Sequence, residues 1–414
     1  ENKLLDEATQ ARALACLQRF GERLRGLSPE AIRCVGTSTL RVARNTEEFI
    51  PKAEIALGHP IEIVAGREEA RLIYLGVAHS LAASPDRRLV VDIGGGSTEL
   101  IIGHGLKPHE RESLHMGCVN YSQRFFAGGK VDKASLKAAE TSARVEVERI
   151  ARGFSRDNWQ QAVGSSGTAR ALREILEQNG WSARGISADG LAQLRSQMIK
   201  AGHVDALELA GLSRDRRPVI AGGFAIMAGL FAELGIEQMD VAETAMREGI
   251  LYDLLGRFHK QDMREATVEE FMRRYHIDTQ QAARIKRVAL KLLAAGGGSD
   301  ENDVRFLDWT ARLHEIGLSV SHSGYHRHSG YILENADMPG FSRTEQARLA
   351  LLARAQRGAL LKVPEFAAGE VSDDDRLLVW LLRQAVILCL SRAEPRLPEV
   401  RVERMALLHH WARE

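Results

Sequence analysis

The amino-acid sequence predicts an α/β protein followed by an all-helical region. Three observations carry this reading. From residue 29 to 255, short apolar runs alternate with segments of helical apolar spacing. Three of those runs lead into loops of Gly, Ser and Thr, and in α/β sheets the carboxyl ends of strands face ligands. From about Gly256 to about residue 392 no β-rich run occurs and the spacing is helical throughout.

Taken in order, Leu4, Leu5, Ala8, Ala11, Leu14, Leu17 and Phe20 predict a helix at the start. Ile32–Gly36 reads as a strand. Thr37, Ser38, Thr39 and Arg41 follow at its end, before a helix reaching about Lys52. The hydroxyls suit a ligand or a helix cap, and Arg41 an anion or the surface. Ile61–Val64 is the next strand, and Glu68 and Glu69 open a helix running to about Ser80. Acids in a first turn favour the helix dipole. That accounts for one glutamate and leaves the other for the neighbouring loop. Glu112–Val119 reads as a strand and Asp132–Phe154 as a helical region. Gln161–Gly164 reads as a strand with a small-residue loop, Gly164–Thr168, feeding a helix, which suits an anion or nucleotide. Pro218–Ile220 leads through Ala221-Gly222-Gly223 into a helix to Leu234. Met239–Val241 is a strand and Ala245–Leu255 a helix.

The stretch Leu89–Gly103 (LVVDIGGGSTELIIG) carries the clearest chemistry. It reads as strand, tight turn, strand. Gly94, Gly95 and Gly96 permit close backbone approach, so successive amides can converge on an anion. Ser97 and Thr98 add hydroxyl donors. Asp92 and Glu99 flank the loop and supply the hard oxygens that a magnesium–phosphate pair requires. The alternative is a plain hairpin with a glycine turn, which needs no acid on either side.

The 414 residues are 44% hydrophobic, enough for several cored domains. Lys and Arg number 56 against 55 Asp and Glu, so a polyanion must meet local basic patches and not bulk charge. Nothing in this balance points to nucleic acid. Cys16, Cys34, Cys118 and Cys389 form no CxxC pair, which fits a reducing compartment. No signal peptide and no uninterrupted apolar run of membrane-spanning length is visible. In the helical region, His314-Glu315 is placed on a helix. His322, His326, Arg327 and His328 fall in a polar stretch, SHSGYHRHS, that suits an anion better than a metal.

DIGGGSTEL at Asp92–Leu100, IVAGREEARL at Ile63–Leu72, MGCV at Met116–Val119, GSSGT at Gly164–Thr168 and AMREGILY at Ala245–Tyr252 recur in one order. Together they resemble the exopolyphosphatase / guanosine pentaphosphate phosphohydrolase family. The resemblance implies two ribonuclease-H-like, actin-like ATPase domains around a cleft, then an all-α HD-like domain. Boundaries are expected at 1–72, 73–255 and 256–394, with 395–414 a remnant of a small C-terminal domain. Gly96 and SHSGYHRHS resemble the exopolyphosphatase branch, so processive release of orthophosphate from inorganic polyphosphate is the expected activity. The guanosine pentaphosphate hydrolase is the alternative, and a non-catalytic polyphosphate-binding protein is a third.

The resemblance also assigns roles. Glu69 matches the glutamate that activates water. Asp92 and Glu99 match acids associated with a divalent cation, Mg2+ or a relative. Gly94, Gly95, Gly96, Ser97 and Thr98 match the phosphate loop, and Thr39 and Arg41 lie beside the terminal phosphate. His322, His326, Arg327 and His328 are expected to hold distant phosphates. His314-Glu315 departs from the His-Asp of HD enzymes, so the helical domain is read as binding and dimerising, with a homodimer expected. The family's first phosphate loop, Asp-x-Gly-Ser-Asn-Ser, has no counterpart here, so the first strands are expected to be missing from the sequence. A cytoplasmic location is expected, with peripheral association at the inner membrane as the alternative.

Overall fold

The structure is a computed structural model that describes residues 3–82, 84–258, 262–296 and 300–395. The segment 395–414, expected to be a domain remnant, lies outside the described residues beyond Pro395. The chain divides into two units, residues 1–260 and 261–414.

The first unit opens with α1 (Glu7–Leu24), capped by the Asp6 carboxylate, which accepts from the Thr9 amide. None of its residues is buried. Its apolar stripe is therefore an amphipathic face and not core. β1 (Cys34–Gly36) follows. The helix expected to reach Lys52 is two helices, α2 (Ser38–Val42) and α3 (Thr46–Leu57). The break has a local cause, because the Thr46 hydroxyl lies within hydrogen-bond distance of the Leu40 and Ala43 carbonyls at the end of α2. β2 (Ile61–Ile63) pairs parallel with β1, Val35 opposite Glu62. α4 (Gly66–Ser80) then leads to the strands β3 (Arg87–Ile93), β4 (Thr98–His104) and β5 (Lys107–Leu114).

Next come α5 (Cys118–Phe125), α6 (Lys133–Glu148), β6 (Gln161–Ser165), α7 (Ser166–Gln178), β7 (Ile186–Ser187), α8 (Ala188–Ala201), α9 (Ile220–Leu234), β8 (Gln238–Val241) and α10 (Met246–Phe258). β3 to β8 make one six-stranded sheet in the order β5-β4-β3-β6-β8-β7. Its first three strands are antiparallel, β6 runs parallel to β3, and β8 parallel to β6. Helices cover both faces. Leu89, Val91, Leu100 and Ile102 pack with residues of α5, α6, α7 and α9. Val90, Ile101 and Val163 pack on Ile73, Tyr74 and Val77 of α4. Burial on both faces is why LVV and LII read as continuous apolar runs.

Three sequence expectations shift here. Met116–Val119 is not strand: β5 ends at Leu114 and α5 begins at Cys118. Gly164–Thr168 is not a loop, since β6 passes directly into α7 with Ser166 at φ 62°. Ala221, Gly222 and Gly223, read as leading into a helix, lie inside α9. There Gly222 permits close helix packing, because a Cβ would meet the Cys118 carbonyl oxygen at 2.4 Å. The segment Arg217–Leu234 is long and apolar enough to cross a membrane by length and composition, but 67% of it is buried in this core.

The second unit contains only helices among the described residues: α11 (Met263–Arg274), α12 (Thr279–Ala295), α13 (Glu301–Leu313), α14 (Tyr325–Asn335), α15 (Arg343–Ala355), α16 (Pro364–Ala368) and α17 (Asp373–Leu388). It has its own core, with Phe306, Trp309, Phe341, Leu352, Leu381 and Leu382 among its members. His314 sits just past the end of α13 and not on it. SHSGYHRHS is half helix: Gly324, at φ 68°, precedes α14, so His326, Arg327 and His328 lie in the first turns.

Candidate functional site

The site is built on a row of polar residues crossing four strands. Ser113 of β5 pairs with Glu99 of β4, Glu99 with Asp92 of β3, and Asp92 with Ser165 of β6. Residues directly opposite in a sheet share a face, so two carboxylates stand side by side with a hydroxyl on each flank. The Ser113 hydroxyl donates to Glu99 Oε1 at 2.8 Å, and the Ser165 hydroxyl to Asp92 Oδ2 at 2.6 Å. Both acids are buried, Asp92 at 5% and Glu99 at 1% exposure. Burial pushes the Asp92 carboxyl up, against the Ser165 and Ser166 hydroxyls. Glu99 is pushed up to about 8, first by burial, then by the Glu69 and Asp92 charges.

Above this row the glycine segment joins β3 to β4. None of Gly94, Gly95 and Gly96 takes a positive φ. Their role is space. A Cβ on Gly117 would come within 2.3 Å of the Gly95 carbonyl, and one on Gly96 would lie 3.0 Å from Ser38 Oγ. The first amides of α5 hold the loop's carbonyls: Cys118 N donates to Gly94 O at 2.9 Å and Val119 N to Gly95 O at 3.0 Å. Asn120 Nδ2 donates to Gly96 O at 3.2 Å. This turns the amides the other way, and among the described residues those of Gly95, Gly96 and Ser97 donate to no backbone carbonyl. Thr98 is committed elsewhere, its hydroxyl donating to Met116 O at 2.6 Å.

Glu69, in the first turn of α4, faces the same row. Arg41 Nη1 donates to Glu69 Oε2 at 2.7 Å and to the Val64 carbonyl at 2.9 Å. Burial pushes the Glu69 carboxyl up, Arg41 opposes this, and Asp92 adds to it. Thr39 is exposed on α2. The hydroxyls nearer the site are those of its neighbours: Thr37, whose side chain acts to lower the Glu69 pKa, and Ser38, against Gly96. Ser113 also escaped the sequence reading, because only the strand register places it beside Glu99.

The donor set fits a hard cation. Asp92 and Glu99 are adjacent oxygen donors whose ionised forms burial and mutual repulsion disfavour, and a divalent ion would reverse that. No three His, Cys, Asp or Glu side chains converge as metal ligands among the described residues. Two adjacent carboxylates are the donor number that magnesium takes from protein, its other positions going to phosphate and water.

At Gly164–Thr168, the segment suited to an anion or nucleotide, the Arg216 guanidinium lies over Gly167. In the second unit His326 is half-buried, and the neighbouring Arg327, Arg357, Arg383 and His328 charges add to burial in holding its pKa below the usual imidazole range. His322 and Arg327 are exposed. His314 is buried, its Nδ1 2.8 Å from the Ala311 carbonyl, while Glu315 is bound by Arg392 at 2.9 Å.

Comparison with known proteins agrees with this architecture. The Ppx/GppA phosphatase family matches residues 1–258, and Ppx/GppA phosphatase, domain III, matches residues 263–411. A protein of Pseudoalteromonas translucida named guanosine-5'-triphosphate,3'-diphosphate pyrophosphatase is 40% identical over 403 residues, 96% of this chain and 80% of its own. Proteins of the same name from Aeromonas hydrophila and Vibrio vulnificus are each 38% identical over 404 residues, covering 81% of their own lengths. Among solved structures, an exopolyphosphatase from Cytophaga hutchinsonii superposes with a TM-score of 0.54 at 23% identity, over 61% of this chain and 83% of that one. An exopolyphosphatase-like protein gives 0.54 at 22%, over 61% and 86%. This α/β chain with its helical second unit therefore belongs to the Ppx/GppA phosphatase family.

Proposed function

We propose that this chain removes the terminal 5'-phosphate of guanosine pentaphosphate, releasing orthophosphate. The observation that carries the hydrolytic reading is the placing of the Glu69–Arg41 pair beside the Asp92–Glu99 row, under amides open to an anion. Phosphoryl transfer needs position and charge neutralisation more than covalent chemistry. The Gly95, Gly96 and Ser97 amides bind the terminal phosphate. Glu69 orients a water and accepts its proton, and Arg41 holds that carboxylate in place. Asp92 and Glu99 would hold magnesium, which when bound offsets phosphate charge. The guanosine substrate is favoured over polyphosphate because the relatives matched along nearly the whole chain bear that name. Gly96 and SHSGYHRHS, which resemble the other branch, therefore do not decide between the two.

The test is phosphate release from guanosine pentaphosphate and from long polyphosphate, each with magnesium and with chelator. Magnesium-dependent release, faster from the nucleotide, is expected. Release from polyphosphate alone would overturn the substrate assignment. Binding without release would overturn the enzymatic one.

Polyphosphate remains a second reading because of one feature. Arg327, Arg357 and Arg383 lie near enough to His326 to act on it electrostatically, a concentration of cationic groups suited to a distal polyanion.

A further inference from the structure

The first turn of α4 carries two adjacent glutamates with different surroundings. Glu69 meets Arg41. Glu68 enters a buried chain of charges. Arg71 Nε and Nη2 donate to its two oxygens at 2.9 and 2.8 Å. The same Nη2 reaches Asp253 Oδ1 on α10 at 2.5 Å. Asp253 Oδ2 accepts from Arg33 Nη1 at 2.6 Å, and Arg33 Nε donates to Glu62 Oε2 on β2 at 3.1 Å. The side chains of Glu68, Arg71, Asp253 and Arg33 are only 2–6% exposed.

Such a network is a poor device for stability alone, because desolvation offsets the attraction and an apolar filling serves as well. The two helices are also joined without it. A Cβ on Gly76 would lie 2.0 Å from the Ala245 carbonyl oxygen, and one on Gly249 1.8 Å from that of Leu72. What the charges add is direction. The bidentate Arg71–Glu68 pair, anchored across to Asp253, fixes the rotation of the turn. Glu69 follows about 100° further round the helix and is thereby aimed at the Asp92–Glu99 row.

We propose that Asp253, acting through Arg71 and Glu68, is a positioning residue for Glu69. This rests on the water-activating role given to Glu69 above. The test is a mutant cycle of D253N, E69Q and the double variant, with kcat, KM and Tm measured for each. D253N is expected to lower kcat about 10- to 100-fold, the range for small misplacement of a reacting group, with KM little changed. In the E69Q background it is expected to leave kcat unaltered while still lowering Tm. Equal kcat losses in both backgrounds, or no loss in either, would overturn the inference while leaving Glu69 its role. Wild-type turnover by E69Q would overturn both. If D253N does not fold, R71K, which keeps the charge and loses the planar fork, takes its place in the same cycle.

Discussion

At the residue scale, the site turns on how burial treats three carboxylates. Glu69 as base predicts that Glu69→Gln folds normally and loses at least ~100-fold in turnover, the low end for a general base. Phosphate-release kinetics beside a thermal melt checks this, and near-native turnover would remove the role. Glu99 predicts a pH effect on stability. Its folded pKa, about 8, lies above its ordinary value of 4.5. A raised carboxyl favours folding fully below the unfolded pKa, and that contribution fades as pH rises through the folded one. Between pH 5 and pH 8 in chelator, the wild type is therefore expected to lose more Tm than Glu99→Gln. Magnesium, which requires the ionised carboxylate, is expected to restore more of it at pH 8 than at pH 5. Identical pH slopes for the two proteins would sink this account. The acids were legible as types beside glycines. Their tuning was not, because desolvation is a property of what packs around them.

At the element scale, glycines set how closely backbones approach. Gly117 lets α5 meet the glycine loop at Gly94–Ser97. Gly117→Ala is expected to displace that loop, since the obstructing atoms are the Gly95 carbonyl and the Gly96 amide nitrogen. At least a tenfold fall in phosphate release is expected, from the cost of ~1 Å misplacement. Unchanged kinetics would mean the loop is not the phosphate seat. Gly249→Ala is expected to act on stability, by ~1–3 kcal/mol or more for forced overpacking, read by urea unfolding. The sequence located β2, α4, β3, β4, β8 and α10, because each combines apolar period with clear breakers, while β3, β4 and α10 extend one to three residues beyond the apolar runs that marked them. It misplaced the Met116–Val119, Gly164–Thr168 and Ala221–Gly223 segments for one reason. Small residues permit a loop, a strand end and a tight helix contact alike, and only the packing partner separates these.

At the scale of the whole molecule, two hydrophobic cores, one around the six-stranded sheet and one among helices, match the compositional change at Gly256. The cationic cluster of the second unit carries the prediction at this scale. Replacing His326 and Arg327 by Ala is expected to weaken release from long polyphosphate more than from a short oligomer, with guanosine pentaphosphate turnover little altered. Equal losses on both chain lengths would argue against a distal polyanion site.

The sequence by itself determined the α/β-then-helical order, the glycine loop with its flanking acids, and the pairing of Glu68 with Glu69. Those are local facts, written in period, spacing and residue type. The resemblance singled out Glu69 of that pair, but only the tertiary structure decided that Arg41 holds it, that Ser113 and Ser165 flank the Asp92–Glu99 row, and that Thr37 and Ser38 lie where Thr39 was expected. Those depend on register and on helix rotation, both fixed by contacts between residues far apart in the chain, such as Arg33 and Asp253, 220 positions from each other.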